Sequence, residues 1–301
     1  MVFYKDNWLT WLHDGVEYGP RTSMDSKFEF IFKPTVTLPL KSYKEELLAN
    51  ARLIRDTVNG PLDLMFSGGL DSEVILRCYT ELKIPINVYT FKYENGYNVM
   101  DVAGALKICR DLNITPNIID FNLEKFFENE AYDIWKKGYF RAPGVLPHMK
   151  MIEYLDGTPL MGAGEPLLVQ ENGKWNFQIE EAFHSQAIYC KTIGRDIIPD
   201  WFEYSPEIQL AYCQLPEVEN LFNGTAPHQD SIWNYKYHIN KAHVYPEIRI
   251  RAKRHGFEST GKPFGNTPKF MQNFRRDVIG EVNVVKYFFT KDQLFETLVK
   301  R

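Results

Sequence analysis

Residues 67–72 read Ser67-Gly68-Gly69-Leu70-Asp71-Ser72, placing two hydroxyls, two glycines and one carboxylate within six residues of chain. Where such a turn ends a strand and opens a helix, the unpaired N–H groups of the first helical turn converge on one point. The helix dipole favours an anion there. Gly68 and Gly69 let the main chain approach a phosphate that a Cβ would block, and Ser67 and Ser72 add hydroxyl donors. Asp71 sharpens the reading. A carboxylate beside bound phosphate is repelled unless a cation lies between them, and Mg2+ is the ion that joins one or two carboxylates to substrate phosphates. The local chemistry is that of a magnesium nucleotide, with Asp71 as a metal ligand. A tight strand-to-helix turn capped by Asp71 or Ser72 is the competing reading, and it accounts for an isolated Gly-Gly equally well.

Other reactive side chains are less ordered. The seven histidines (His13, His148, His184, His228, His238, His243 and His255) include no pair at the spacing of a helical zinc site with an intervening glutamate. They are expected to be satisfied or surface residues, with His148 a candidate for lining a substrate pocket. The four cysteines, Cys78, Cys109, Cys190 and Cys213, form no Cys-x-x-Cys pair. Buried reduced thiols are expected.

The elements around the turn follow from periodicity. "VFYKDNWLTWL" and "KFEFIFKPTVTL" are rich in aromatic and β-branched residues and predict a small antiparallel region over 1–40. Ser42 and Glu45 stand at capping-box spacing before a helix that stops at Asn59-Gly60. From Pro61 strands and helices alternate: "LDLMF" and a helix over 72–82, "INVYTF" and a helix from Asn98, "NIIDF" and a helix through "NLEKFFENEAYDIWKKG". Such alternation predicts an α/β fold, a parallel sheet with helices on both faces, over 41–180. A helix over 146–155, strand "TPLMG", a second glycine-rich turn and a hairpin at Asn172-Gly173 follow. Residues 181–301 read as mostly helical, ending in a loop and one terminal helix.

In this strand–turn–helix setting, 67–72 resembles the PP-loop of the ATP pyrophosphatase family. The resemblance implies a Rossmann-like sheet and cleavage of ATP between its α and β phosphates. Pyrophosphate would be held by Ser67, Gly68, Gly69, Leu70 and Ser72, and adenine would sit near Thr90 and Phe91. The Walker A pattern is absent. Within the family, "PLMGAGEPLL" and "YPEIRIRAKRHGFE" resemble stretches of the synthetase domain of asparagine synthetase. That likeness implies Gly162 and Gly164 at the nucleotide, Lys253 neutralising the departing pyrophosphate, and Glu165 as a second magnesium ligand. Two departures stand out: Ala163 occupies an acidic position of that family, and Pro166-Leu167 stands where it has Asp-Glu. Position 2 is Val2 rather than the glutaminase cysteine, so ammonia production from glutamine is not expected. The competing readings are an exposed loop acid for Glu165 and a solvated basic face for Lys253.

The expected activity is therefore an AMP-forming ligase that uses ATP and Mg2+ to adenylate a small-molecule acceptor for attack by a nitrogen nucleophile. Two alternatives stand beside it, a nucleotide-binding regulatory module without turnover and an ATP-dependent nucleic-acid modifying enzyme. A formal charge of −4 and a pI near 6.0 disfavour the last. The aromatic run "WNYKYHINKAHVYPEI" suits a helical core better than a stacking platform. The chain has no apolar stretch of membrane-spanning length and no signal-peptide core, so a cytoplasmic location is expected. Assembly into homo-oligomers is compatible with everything read so far.

Overall fold

The computed structural model describes residues 4–171, 173–224, 232–249, 268–281 and 284–301. The chain opens with an antiparallel sheet in which β1 (Leu9–His13) pairs with both β2 (Val16–Glu17) and β3 (Phe28–Phe32). Along β3 the buried Phe28 and Phe30 alternate with Glu29 and Ile31 on the outer side, the period-two pattern of a half-buried strand. Next comes α1 (Tyr43–Thr57). Its capping box forms as expected: Glu45 N–H donates to Ser42 Oγ, and Ser42 N–H donates to the Glu45 carboxylate.

The alternating segment forms β4 (Leu62–Met65), α2 (Leu70–Glu81), β5 (Asn87–Tyr93), α3 (Val99–Asp111) and β6 (Asn117–Phe121). It continues through α4 (Leu123–Asn129), α5 (Ala131–Gly138), α6 (Leu146–Met151) and β7 (Thr158–Leu160). The four strands make one parallel sheet in the order β6-β5-β4-β7, flanked by helices, which is the α/β arrangement expected. Every residue of β4 is buried, as befits a central strand built from Leu-Asp-Leu-Met with Asp63 bonded to Gly157 N–H and Asn87. The chain leaves β4 toward β5 and β6, then returns to its other side as β7. That reversal puts a topological switch point at the carboxyl ends of β4 and β7, where open α/β sheets bind ligands.

Beyond β7 come β8 (Leu167–Glu171) and β9 (Lys174–Glu180), an antiparallel hairpin turning through Gly173 as expected. Helices α7 (Ser185–Thr192), α8 (Pro206–Cys213), α9 (Pro216–Phe222), α10 (Ile232–His243) and α11 (Lys269–Phe274) follow, then β10 (Lys286–Phe289) and α12 (Lys291–Leu298).

Three expectations are corrected. The single helix read through 122–138 breaks at Glu130 into α4 and α5. The helix expected over 146–155 ends at Met151 and tightens into a 3-10 turn, Ile152–Tyr154. The tail read as a loop and one helix also contains α11 and β10. β10 is only four residues long, and its partner β9 lies far back in the chain, so no local pattern marks it.

One large core joins the N-terminal sheet, α1, α2, β4 and the C-terminal helices, and a second, aromatic one packs Phe91, Phe121, Phe126, Phe127 and Phe274 on the other side. All four cysteines are buried free thiols, as expected. Among the described residues no helix is long and apolar enough to cross a membrane.

Candidate functional site

The first glycine turn lies between β4 and α2, at the switch point. Gly69 is the N-cap of α2, and no side chain caps the helix, so the N–H groups of its first turn are left for another acceptor. Ser67 is exposed, its Oγ accepts from Gly69 N–H at 3.2 Å, and it lies 3.4 Å from Ser72 Oγ. Ser72 Oγ donates to the Gly69 carbonyl at 3.1 Å. The two glycines do different work. Gly68 has φ +70°, and a Cβ on it would lie 2.8 Å from the backbone nitrogen of Ala105 in α3. It is a glycine because the turn is left-handed and α3 packs against it. A Cβ on Gly69 would meet only Ser67 Oγ, at 3.2 Å. Gly69 is therefore the glycine whose missing side chain can serve a ligand. Leu70 points its side chain into the core at 5% exposure, so only its backbone can contact a ligand.

The second glycine turn follows β7 and abuts the first. A Cβ on Gly162 would stand 3.2 Å from the N–H nitrogen of Ser72, and Gly164, at φ +75°, presses against the 200–203 segment. From this turn Glu165 reaches the same place as Asp71. Both carboxylates pair with the ammonium of Lys236 on α10, with Glu165 Oε1 at 2.9 Å and Asp71 Oδ1 in shorter contact. Burial works against the charge on Lys236, but the two carboxylates outweigh it and raise its pKa above the ordinary lysine range. The structure thus brings together Ser67, Gly69, Asp71, Ser72, Gly162 and Glu165, all expected at the site, around a cation that was not.

Lys236 was missed because "WNYKYHINKAH" reads as aromatic core. One signal was present: Lys236 stands three and four residues before Ile239 and Asn240, both buried, so it shares their face of α10. A lysine on an inward face needs a carboxylate partner.

Thr90 and Phe91 lie on β5, but their side chains are committed elsewhere. Thr90 Oγ1 donates to the Phe66 carbonyl at 2.8 Å, and the buried Phe91 ring stacks on Phe121 at 4.4 Å. Lys253 lies outside the described residues. His148 is half-buried on α6, while the buried Arg141 is paired with Glu181. On α10, Tyr237 is buried, in keeping with the core reading of that aromatic run.

Neither a family model nor a curated protein matches the sequence. Similar solved structures include the NMN synthetase from Francisella tularensis, at 13% identity and TM-score 0.33 over 69% of this chain and 96% of that one. The U34-tRNA thiolase NcsA from Methanococcus maripaludis aligns at 14% identity and TM-score 0.32 over 77% and 88%. The NH3-dependent NAD synthetase from Campylobacter jejuni aligns at 16% identity and TM-score 0.29 over 41% of this chain, which spans 56% of that synthetase. At such scores these likenesses assign no residue a role, and the chemistry rests on the site itself.

Proposed function

We propose that the chain binds ATP at the two glycine turns and transfers AMP to an oxygen of a small-molecule acceptor, preparing it for attack by a nitrogen nucleophile. The observation that carries this is the meeting of both turns at the switch point, with Asp71 and Glu165 converging on one cation beside the uncapped start of α2. The resemblance of 67–72 to PP-loops supplies the reaction class. In this reading the first-turn N–H groups of α2 and the hydroxyls of Ser67 and Ser72 hold the β and γ phosphates. They stabilise the charge that gathers there as the bond between the α and β phosphates breaks and pyrophosphate departs.

The site fits a cation, since two carboxylate oxygens already converge on a positive centre. Asp71 and Glu165 would hold Mg2+, which supplies charge neutralisation between the carboxylates and the phosphates. Lys236 would then release the carboxylates and face the phosphates itself, a second positive charge alongside any contribution from Lys253. Adenine would lie by the backbone of β5 near Thr90 and Phe91, whose side chains are occupied.

One feature favours the alternative of nucleotide binding without turnover: an ammonium already stands between the two carboxylates, and Ala163, Pro166 and Leu167 supply no further acid. Titration calorimetry with a non-hydrolysable ATP analogue, with and without Mg2+, is the first test. The ligase reading expects binding that strengthens with Mg2+ and is lost in Asp71→Asn, together with AMP and pyrophosphate release from ATP when an acceptor pool is added. Binding without release under any acceptor pool favours the module, and no binding at millimolar analogue overturns both.

A further inference from the structure

Behind Gly164 three side chains from separate parts of the chain converge. A Cβ on Gly164 would lie 2.8 Å from Asp200 Cβ and 2.9 Å from Glu203 Cγ. His184, from the 3-10 turn before α7, completes the group, and one ligand atom from each residue lies within 4.8 Å of the others. His184 and Asp200 are fully buried and Glu203 is 3% exposed.

The orientation of these groups is informative. His184 Nδ1 faces the Glu180 carbonyl at 3.1 Å, and Asp200 Oδ2 accepts from the Tyr4 hydroxyl at 2.6 Å. His184 and Asp200 are thus each held by one atom while another is left over. Among the described residues, His184 Nε2, Asp200 Oδ1 and Glu203 Oε2 make no hydrogen bond. Nε2 and Oε2 stand 3.2 Å apart, so they pair directly when His184 carries a second proton. With a neutral imidazole, the same separation suits two ligands on a common centre. Bond lengths of about 2.0–2.2 Å around a tetrahedral or octahedral metal put neighbouring ligands roughly 3.0–3.5 Å apart. A histidine whose other nitrogen faces a backbone carbonyl, with its free nitrogen inward, is the usual arrangement of a metal-binding imidazole.

Charge points the same way. Two carboxylates and one imidazole are shut away from water, and among the described residues no lysine or arginine pairs with them. A single proton between His184 Nε2 and Glu203 Oε2 relieves one charge and leaves Asp200 Oδ1 unmatched, whereas a divalent cation relieves both charges and satisfies all three atoms.

We infer that His184, Asp200 and Glu203 form a buried divalent transition-metal site that braces the second glycine turn from behind. One nitrogen and two oxygens suit Zn2+ or Mn2+ better than the all-oxygen coordination of Mg2+ or Ca2+. Three protein ligands leave one position for an enclosed water, and because burial closes that position to any substrate the ion is assigned a structural role.

Metal analysis of the full chain, stripped with a chelator and reloaded separately with Zn2+, Mn2+ or Mg2+, tests this. The expectation is one Zn2+ or Mn2+ retained per chain through gel filtration, a thermal midpoint raised by about 5 °C at saturating metal, and no such effect of Mg2+. Co2+ should give visible absorption bands from a nitrogen-ligated centre. Asp200→Asn and His184→Gln should each lose the retained ion, the bands and the thermal shift while keeping the far-ultraviolet circular dichroism of the folded protein. Should both variants fail to fold, Glu203→Gln takes their place, and the wild-type stoichiometry and cobalt spectrum decide if it too fails. A folded, stripped wild type that retains no Zn2+, Mn2+ or Co2+, or retains no more than Asp200→Asn, overturns the site and leaves a proton-sharing network in its place.

Discussion

Lys236 decides how the nucleotide site behaves before any ligand arrives. Its ammonium is the described group that keeps Asp71 and Glu165 from repelling one another, and all three side chains are largely buried, the most exposed reaching 18%. Replacing it with methionine keeps the length and apolar stem but leaves two facing carboxylates. Breaking a buried pair in this way costs about 3 kcal/mol. The sign of the pH effect follows: the penalty in Lys236→Met is largest at neutral pH and shrinks as pH falls, because a proton taken up between the two facing carboxylates relieves their repulsion. Urea melts of wild type and variant from pH 7.5 to 5 check this, and a gap that widens on acidification would contradict it. In the ligase reading, Mg2+ alone should stabilise Lys236→Met more than wild type, because no ammonium competes for the carboxylates, whereas the ATP analogue should bind the variant more weakly for want of the ammonium that would face its phosphates.

At the scale of elements, the turn between β4 and α2 separates two demands that look identical in the string Gly68-Gly69. Gly68→Ala forces a left-handed φ on alanine and drives its Cβ into the α3 backbone at 2.8 Å, so a loss of roughly 2 kcal/mol or more in stability is expected. Gly69→Ala meets only the Ser67 hydroxyl, at 3.2 Å, and should fold with little loss while weakening binding of the ATP analogue. Equal effects on folding and binding in both variants would remove the distinction. Much of this element was legible beforehand, because strand, turn and helix are adjacent in sequence and carry their own periodicity. The capping box, the hairpin at Gly173 and the four parallel strands were legible for the same reason. Contacts between distant segments were not: β10 beside β9, Lys236 between Asp71 and Glu165, and His184 with Asp200 and Glu203 all join residues whose local patterns say nothing of one another. Asp200 and Glu203 have i, i+3 spacing, but that spacing acquires meaning only when a histidine from another element faces it.

Taken whole, the molecule is tied across the regions expected at 1–40, 41–180 and 181–301. β9 and β10 pair across the last of these boundaries, and Val36 bonds on both sides to the C-terminal segment, its N–H to the Leu298 carbonyl and its carbonyl to Lys300 N–H, each at 2.9 Å. Glu181 is the deepest of these ties. Fully buried, it takes Arg21 from the N-terminal region and Arg141 from between α5 and α6 on one carboxylate oxygen, while its other oxygen accepts from Val285 N–H at 3.2 Å just before β10. Burial above all, with the Arg141 charge beside it, lowers the Arg21 pKa to about 9, so this guanidinium depends on its carboxylate to stay charged at little cost. Glu181→Ala leaves two buried arginines without their carboxylate and an N–H without its acceptor, a loss of about 4 kcal/mol. For a chain of this length that lowers the thermal midpoint by about 6 °C. Because the tie spans all three regions, calorimetry should show one transition displaced as a unit in the variant. Two transitions, with only the smaller one moved, would mean that the N-terminal sheet melts by itself and that Glu181 holds it on without belonging to a common fold.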